Sequence, residues 1–148
     1  MRPVSRPEPQ TDGPILPHPI LNAMLVCDEA TRDERTGKVT LRGIFEQIGA
    51  PGFPARHKSL SVYVKMIDAE GKYPLRFSIV HLETGTVVGV VEQEFVAKSR
   101  TGSVELTFNL HDLPFPKPGT YEFQLHVNQR YLGSKTVSVV LSSPRSGG

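Results

Sequence analysis

Residues 113–141 decide the fold, and they read LPFPKPGTYEFQLHVNQRYLGSKTVSVVL. Before Asn128-Gln129, apolar residues alternate with polar ones over 121–127, and after it the chain returns through Tyr131 to Val137, Val139 and Leu141. A period of two is typical of a strand with one buried face and one wet face. Asparagine tolerates the positive φ that a two-residue hairpin requires. The stretch therefore predicts an antiparallel hairpin that ends the domain.

The start of this hairpin, Gly119-Thr120-Tyr121, has the spacing of a tyrosine corner. In Greek-key sandwiches a tyrosine near the start of the penultimate strand bonds its hydroxyl back to upstream backbone. The alternative is that Tyr121 is an ordinary core aromatic residue. Phe123 stands where an antibody domain would have its second cysteine, and the chain has one cysteine and no tryptophan. These absences exclude a true antibody-type domain.

The rest of the chain contains short alternating or β-branched segments separated by turn signals, which is typical of a sandwich or barrel. Gly43 interrupts one of them and is predicted as a β-bulge. With the last two strands the count is eight, so we expect an all-β, antiparallel Greek-key β-sandwich of the immunoglobulin-like kind. The six further predicted strands are 20–28, 38–48, 58–67, 75–82, 86–96 and 104–110.

The two ends of the chain differ in composition from its middle. Residues 1–19 hold six of the 13 prolines and predict a flexible tail, either a simple lead-in or a ligand for a proline-recognising partner. Residues 142–148 are small and polar and predict a second flexible tail, which leaves 20–141 as the sandwich domain. No apolar run is long enough for a signal peptide or a spanning helix, and a single cysteine fits a reducing compartment. We therefore expect a cytoplasmic protein with no membrane partner.

Six short motifs between Leu21 and Leu141 carry a resemblance to a known family. In these motifs the chain resembles an uncharacterised bacterial family of small, stand-alone all-β proteins. The resemblance implies the fold and brings no activity, cofactor or catalytic residue. The motifs are Cys27-Asp28, Gly37-Lys38, Gly43-Ile44-Phe45, Phe53-Pro54, Pro118-Gly119-Thr120-Tyr121 and Leu132-Gly133.

A search for reactive residues predicts no catalytic, cofactor-binding or metal-binding site, and hence no enzyme. Cys27 closes an apolar strand, where a free cysteine packs as a small hydrophobe, and Asp28 beside it raises a thiol pKa. His126 alternates outward and is predicted as a solvated residue.

The clusters of charged residues predict neither a metal site nor a nucleic-acid-binding surface. The four acids that we place in one loop, Asp28, Glu29, Asp33 and Glu34, are nearly neutralised by interspersed basic residues. They would bind calcium only if the protein were a calcium-assisted ligand-binding domain. The net charge is +2, and two small basic groups, Arg56-His57-Lys58 in a predicted loop and Arg130 with Lys135 in the last hairpin, are too few to predict nucleic-acid binding.

The leading functional hypothesis is a non-enzymatic protein-interaction or structural module. Phe53 stands between Gly52 and Pro54 in the loop before the third predicted strand, where it either meets a partner or plugs the end of the sandwich. Tyr131 and Leu132 in the final hairpin are the next candidates. We expect self-association or docking onto a protein partner through an edge strand or through Phe53. The alternative is a small-ligand or carbohydrate-binding sandwich, with or without calcium.

Overall fold

The computed structural model describes residues 16–142, and within them it is built from nine β-strands. The described residues contain no helix long and apolar enough to cross a bilayer. The strands are β1 (Ile20–Arg32), β2 (Val39–Ile44), β3 (Gln47–Ala50), β4 (Ala55–Ile67), β5 (Gly71–His81), β6 (Val87–Ala97), β7 (Ser103–Phe115), β8 (Gly119–Val127) and β9 (Arg130–Leu141).

The strands form two sheets. The first is four-stranded in the order β2-β1-β4-β7, and the second is five-stranded in the order β3-β9-β8-β5-β6. All neighbouring strands run antiparallel except β3, which runs parallel to β9. The all-β prediction is confirmed, and the prediction that every pair is antiparallel is wrong for β3.

The core lies between the two sheets and is closed by aromatic side chains from both. The Phe77 ring of β5 stacks on Phe108 of β7 with centroids 5.2 Å apart, which joins the sheets at the centre. The predicted alternation of the hairpin is confirmed, since Tyr121, Phe123 and Leu125 are fully buried. Removing this apolar surface from water is the main stabilising term of such a sandwich.

Both local predictions for the last hairpin are confirmed. Asn128 and Gln129 have φ values of 54° and 66°, so the reversal between β8 and β9 uses two left-handed residues. The Tyr121 hydroxyl donates to the Lys117 carbonyl oxygen at 2.6 Å, which is the hydrogen bond of a tyrosine corner. Tyr121 is therefore both a core aromatic residue and the tyrosine of a tyrosine corner.

The predicted strand 38–48 is wrong, because the chain changes sheets within it. Gly43 has a φ of 71°, and a Cβ there would collide with the Asp28 carboxylate. The Phe45 amide still bonds β1 through the Val26 carbonyl, whereas the Glu46 carbonyl already accepts from the Ser138 amide of β9. What looked like one bulged strand is thus β2 on one sheet and β3 on the other, so the described strands number nine instead of eight.

Packing begins before the predicted domain boundary at residue 20. The Leu16 side chain packs against the core, and the Pro17 carbonyl accepts a hydrogen bond from the Tyr73 hydroxyl at 2.8 Å. The rest of the predicted N-terminal tail, residues 1–15, and residues 143–148 of the predicted C-terminal tail lie outside the described residues.

Candidate functional site

The candidate contact residues Phe53 and Tyr131 lie at opposite ends of β9. Tyr131 is the second residue of that strand, whereas Phe53 follows Ala50, the partner of Leu141 at its other end. At about 3.3 Å per residue, the two positions are separated by roughly 30 Å along the strand. The structure therefore does not bring them into one surface.

Phe53 closes its end of the sandwich. Its ring is half-buried and packs against the core, and it lines a cavity of about 480 Å³ together with Phe115 and Val139. Phe115 is fully buried and meets Tyr121 edge-on at 4.8 Å. Of the two interpretations of Phe53, the packing supports the plug.

Leu132 lies next to Tyr131 but belongs to the core side. The β8–β9 register shifts here, with His126 opposite Tyr131 and Leu125 opposite Gly133, so Leu132 is the extra residue of a bulge. Its side chain is half-buried and packs against the core. Leu132 therefore contributes packing instead of exposed contact surface.

Tyr131 lies on the outer face of the five-stranded sheet and is 54% exposed. The strand register places it opposite His126 of β8, which is opposite Arg76 of β5, which is opposite Glu92 of β6. We call these four side chains the outer row. Adjacent strands lie about 4.8 Å apart, so the row spans about 14 Å.

A chain of hydrogen bonds holds the Tyr131 ring in place although the ring is exposed. The Tyr131 hydroxyl donates to Ser134 Oγ at 3.0 Å, and Ser134 Oγ donates to Glu122 Oε2 at 3.0 Å. The other carboxylate oxygen of Glu122 accepts from Gln124 Nε2 at 2.7 Å. An aromatic side chain fixed in this way loses little conformational entropy when a partner covers it.

His126 completes the aromatic part of the row. Its ring meets the Tyr131 ring edge-on with centroids 5.5 Å apart. The predicted outward direction is confirmed, but the prediction of a solvated residue is wrong, because the side chain is half-buried. Among residues 16–142, His126 Nδ1 is the one buried side-chain nitrogen or oxygen without a hydrogen-bond partner. Most buried polar atoms in folded proteins make at least one hydrogen bond, so this atom is an exception.

The outer row borders a groove of about 630 Å³. Its lining comes from β5, β6, β8 and the β8–β9 turn. The lining residues are Pro74, Leu75, Arg76, Glu92, Gln93, Glu94, His126 and Gln129. The groove crosses the strands and is open to solvent along its length, which suits an extended chain better than a compact small molecule.

The groove carries more acidic than basic charge. One arginine, Arg76, faces two glutamates, Glu92 and Glu94. Arg76 Nε lies 4.0 Å from Glu92 Oε2, and Glu94 Oε1 lies 3.3 Å from Lys72 Nζ. All four side chains are more than half exposed, so these pairs are weak and their carboxylates can accept further donors.

The predicted acidic loop does not form a metal site. Asp28 and Glu29 belong to β1, where consecutive side chains point to opposite faces, and only Asp33 and Glu34 lie in the turn. Glu29 pairs with Arg42 at 2.6 Å, and Asp33 Oδ1 accepts from the Arg35 amide at 2.8 Å. Within residues 16–142, no three His, Cys, Asp or Glu side chains converge closely enough to hold a metal ion.

The other side chains that could take part in chemistry are buried or already engaged in hydrogen bonds and ion pairs. Cys27 is fully buried, and burial, with a smaller contribution from Asp28 as predicted, raises the pKa of its thiol. His81 is buried between Thr84 Oγ1 at 2.8 Å and the Pro118 carbonyl at 3.0 Å. Tyr63 bonds the Glu105 carboxylate, and burial together with this bond raises its pKa to about 12. The loop predicted for Arg56, His57 and Lys58 is wrong, because these residues belong to β4 and Arg56 pairs with Asp112 at 3.0 Å.

Sequence reasoning found Tyr131 but missed His126, Arg76 and Glu92 as its neighbours. Alternation along β5, β6 and β8 gives the outward direction of Arg76, Glu92 and His126. Tyr131, by contrast, has the parity of the buried Val137 and Val139 and faces outward only because of the bulge at Leu132. Their meeting in one row depends on which strands are adjacent and in what register, and no local pattern carries that information.

Comparison with known protein families assigns the chain to one of them. The model of a family of unknown function, DUF6941, matches residues 22–140. This confirms the expected resemblance to an uncharacterised family of small all-β proteins. No curated protein matches the sequence.

Solved structures resemble this fold at low identity. The alkylpurine DNA glycosylase AlkC of Pseudomonas fluorescens, solved with DNA containing an abasic site analogue, matches with a TM-score of 0.52 at 12% identity. The match covers 82% of this chain and 30% of the glycosylase, and it shows the fold alone. The CARDB domain of the PF1109 protein of Pyrococcus furiosus, solved with di-metal ions, matches with a TM-score of 0.40 at 17% identity, over 86% and 96% of the two chains.

Proposed function

This chain belongs to the DUF6941 family of unknown function, and we propose that it is a non-enzymatic protein-binding module that holds an extended peptide segment in the groove beside Tyr131. The observation that carries the proposal is an exposed aromatic ring, Tyr131, which hydrogen bonds hold in place beside an open groove. An extended segment would cover the ring and run along the open groove beside it.

The groove has the parts that peptide recognition uses. Tyr131 and His126 give an aromatic contact at one end of the outer row, and Glu92 gives a carboxylate at the other. Tyrosine is enriched among the residues that dominate binding energy, because it buries a large area with few rotatable bonds. Charged groups at the rim add orientation and specificity more than affinity.

The proposal assigns no catalysis and no nucleic-acid partner to the chain. The buried thiol of Cys27 and the fully bonded His81 support a structural role for both. The basic side chains Arg42, Arg56 and Arg100 are each paired with a carboxylate, which supports a surface without a free basic stripe. Cytoplasmic location stays a prediction, supported by a free, buried Cys27.

We also infer that the sandwich is of the immunoglobulin-like Greek-key type. Support comes from the three-strand group β9-β8-β5 facing the group β1-β4-β7, from the parallel contact of β3 with β9, and from the tyrosine corner at Tyr121.

Selection from a display library of short random peptides tests the binding function. We expect peptides that bind the full chain and lose about tenfold or more in affinity against Tyr131→Ala, since a dominant aromatic contact contributes about 1.4 kcal/mol or more. The matched control is Phe53→Ala at the other end of β9, which should leave the affinity unchanged. Peptides that bind Tyr131→Ala as tightly as the wild type, or a selection that recovers none, would overturn the proposal.

A further inference from the structure

We propose that the outer part of the β1–β2 hairpin, residues 29–42, is a flap that covers a second surface of the sandwich and opens as a unit. We call these residues the arm. The covered surface lies on the outer face of the four-stranded sheet, whereas the groove beside Tyr131 belongs to the five-stranded sheet. Opening of the arm and peptide binding in the groove are therefore independent of one another.

The path of β1 shows that the arm folds back over its own sheet. The pairing of β1 with β4 ends at Cys27, and beyond that residue β1 pairs with β2 alone. Glu105 of β7 pairs with Lys65 of β4, which pairs with Ala23 of β1. In a straight strand Arg32 would lie about 30 Å beyond Ala23. Arg32 Nη1 instead lies 3.6 Å from Glu105 Oε1, so the strand bends back across the sheet.

The arm covers Cys27 and Tyr63 on the outer face. Val26 and Val62, their neighbours in sequence, belong to the core, so Cys27 and Tyr63 point away from it. Both are nevertheless buried. Cys27 Sγ donates to the carbonyl oxygen of Glu29, the first residue of the arm, at 3.5 Å. In a straight strand a residue two positions on is about 7 Å further along, so this contact also requires the bend.

The two faces of the arm differ in the way that a cover requires. Apart from Arg32, one face is apolar and half-buried, and the other is polar and exposed. The half-buried face consists of Ala30, Val39 and Leu41. The exposed face consists of Glu29, Thr31, Thr40 and Arg42. A two-stranded hairpin alone is marginally stable in water, so the arm gains stability from packing its apolar face on the sheet.

A polar cluster holds the far end of the arm to the sheet. Among residues 16–142 two ion pairs involve the arm, and Arg32 with Glu105 is the one that reaches the sheet. Arg32 Nη2 also donates to the Glu105 carbonyl oxygen at 3.4 Å, and the Tyr63 hydroxyl donates to the Glu105 carboxylate. We call Arg32, Glu105 and Tyr63 the latch. The Arg32 side chain is 44% exposed, so water and salt weaken its ion pair.

Asp28 and Gly43 form the hinge at the near end of the arm. Gly43 has a φ of 71°, and a Cβ there would collide with the Asp28 carboxylate. Directly beyond the hinge, the Phe45 amide donates to the Val26 carbonyl oxygen at 3.0 Å, which ties the chain to the sheet. Glycine therefore allows the two strands of the arm to bend together at this point.

Alkylation of Cys27, the single cysteine of the chain, measures opening of the arm. An uncharged reagent such as N-ethylmaleimide reaches the sulfur only when the arm lifts. We expect Arg32→Ala to react about fivefold faster than the wild type, the factor that a partly exposed ion pair supplies. The matched control Arg42→Ala breaks the pair with Glu29 inside the arm and should react at the wild-type rate. Equal rates for Arg32→Ala and the wild type would overturn the proposal.

Salt separates release of the latch from unfolding of the whole chain. Salt screens the ion pair, so it should speed the reaction of the wild type and of Arg42→Ala but leave Arg32→Ala unchanged. Urea unfolding gives the rate that global unfolding alone would allow, and we expect the wild type to react faster than that. A wild-type rate equal to the global limit would overturn the flap.

Gly43→Ala tests the hinge, with Gly37→Ala as the matched control. The two glycines have φ values of 71° and 75°, so alanine introduces similar backbone strain at each. At Gly37 an added Cβ meets nothing within 4 Å, whereas at Gly43 it meets Asp28 and disfavours the closed bend. We expect Gly43→Ala to react several-fold faster than Gly37→Ala. Equal rates would overturn the assigned hinge.

Protein concentration distinguishes a flap from an arm exchanged between two copies. We expect Arg32→Ala to remain monomeric in light scattering, to react at a rate independent of concentration and to bind the selected peptides as the wild type does. A dimer whose reaction slows as concentration rises would mean that the arm of one copy covers another, and it would overturn the intramolecular flap. Loss of peptide binding in Tyr131→Ala should leave the alkylation rate unchanged, so the two proposals are tested separately.

Discussion

The two ends of β9 make opposite use of an aromatic side chain. At the Phe53 end, Phe53 and Phe115 pack over the core beside a cavity of about 480 Å³ and close the sandwich. At the Tyr131 end, the ring stands on the outer face, 54% exposed, and a hydrogen-bond chain through Ser134 and Glu122 holds it there. Exposure of an aromatic residue is informative when the fold also restrains it, because an unrestrained exposed ring is ordinary on protein surfaces.

The largest contrast between the ends is expected from Phe115→Ala. Phe115 is 1% exposed, and removing such a ring from a packed core costs about 3–5 kcal/mol of unfolding free energy. Tyr131→Ala, on the outer face, should change it by about 0.5 kcal/mol or less. Urea unfolding followed by circular dichroism measures both variants, and similar losses would contradict the division into a packing end and a binding face.

A smaller loss is expected from Phe53→Ala. The ring is half-buried, so we expect a loss of about 2 kcal/mol, between the values for a core ring and a surface ring. The same urea titration measures it, and Tyr131→Ala is again the matched control. A loss as small as that of Tyr131→Ala would mean that Phe53 is free for a partner, as the alternative interpretation of its loop requires.

Removing a tyrosine hydroxyl should also lower the free energy of unfolding more at the Phe53 end than at the Tyr131 end, but by a smaller margin. Tyr121→Phe removes the hydrogen bond to the Lys117 carbonyl and should cost about 1–2 kcal/mol. Tyr131→Phe removes an exposed bond to Ser134 and should cost about 0.5 kcal/mol or less. Thermal unfolding of both variants, with the wild type as reference, checks the order; a reversed order would contradict the tyrosine corner as a stabilising element.

The smallest change in stability is expected at the β8–β9 turn, where Gln129 also lines the groove. Gln129 has a φ of 66°, a conformation that costs a side chain free energy and that glycine adopts readily. Gln129→Gly should therefore stabilise the fold by about 0.5 kcal/mol, measured as a raised midpoint of thermal unfolding. Gln124→Gly, in the extended strand β8, is the matched control and should destabilise. A lowered midpoint for Gln129→Gly would show that the Gln129 side chain contributes contacts that outweigh its backbone strain.

Several features were predictable because they depend on neighbours in sequence. The hairpin turn at Asn128-Gln129 and the burial of Tyr121, Phe123 and Leu125 follow from turn chemistry and from a period of two. The corner hydrogen bond spans only four residues, from Tyr121 to Lys117. The error at Gly43 has the same origin, because a left-handed glycine predicts a bulge and a change of sheet equally well.

The sequence by itself determined the all-β class, the inner and outer faces of the long strands, the final hairpin and the candidate Tyr131. Only the tertiary structure decided that Phe53 closes one end, that Leu132 packs inward, that β3 joins the other sheet, and that His126, Arg76 and Glu92 line up with Tyr131. The physical reason is that the local alternation of a strand sets side-chain direction wherever no bulge interrupts it, and the bulge at Leu132 reverses it for Tyr131. Neighbourhood across strands is set by the order and register of strands that can lie far apart in the chain, as those of Arg76 and His126 do, and no local pattern encodes it.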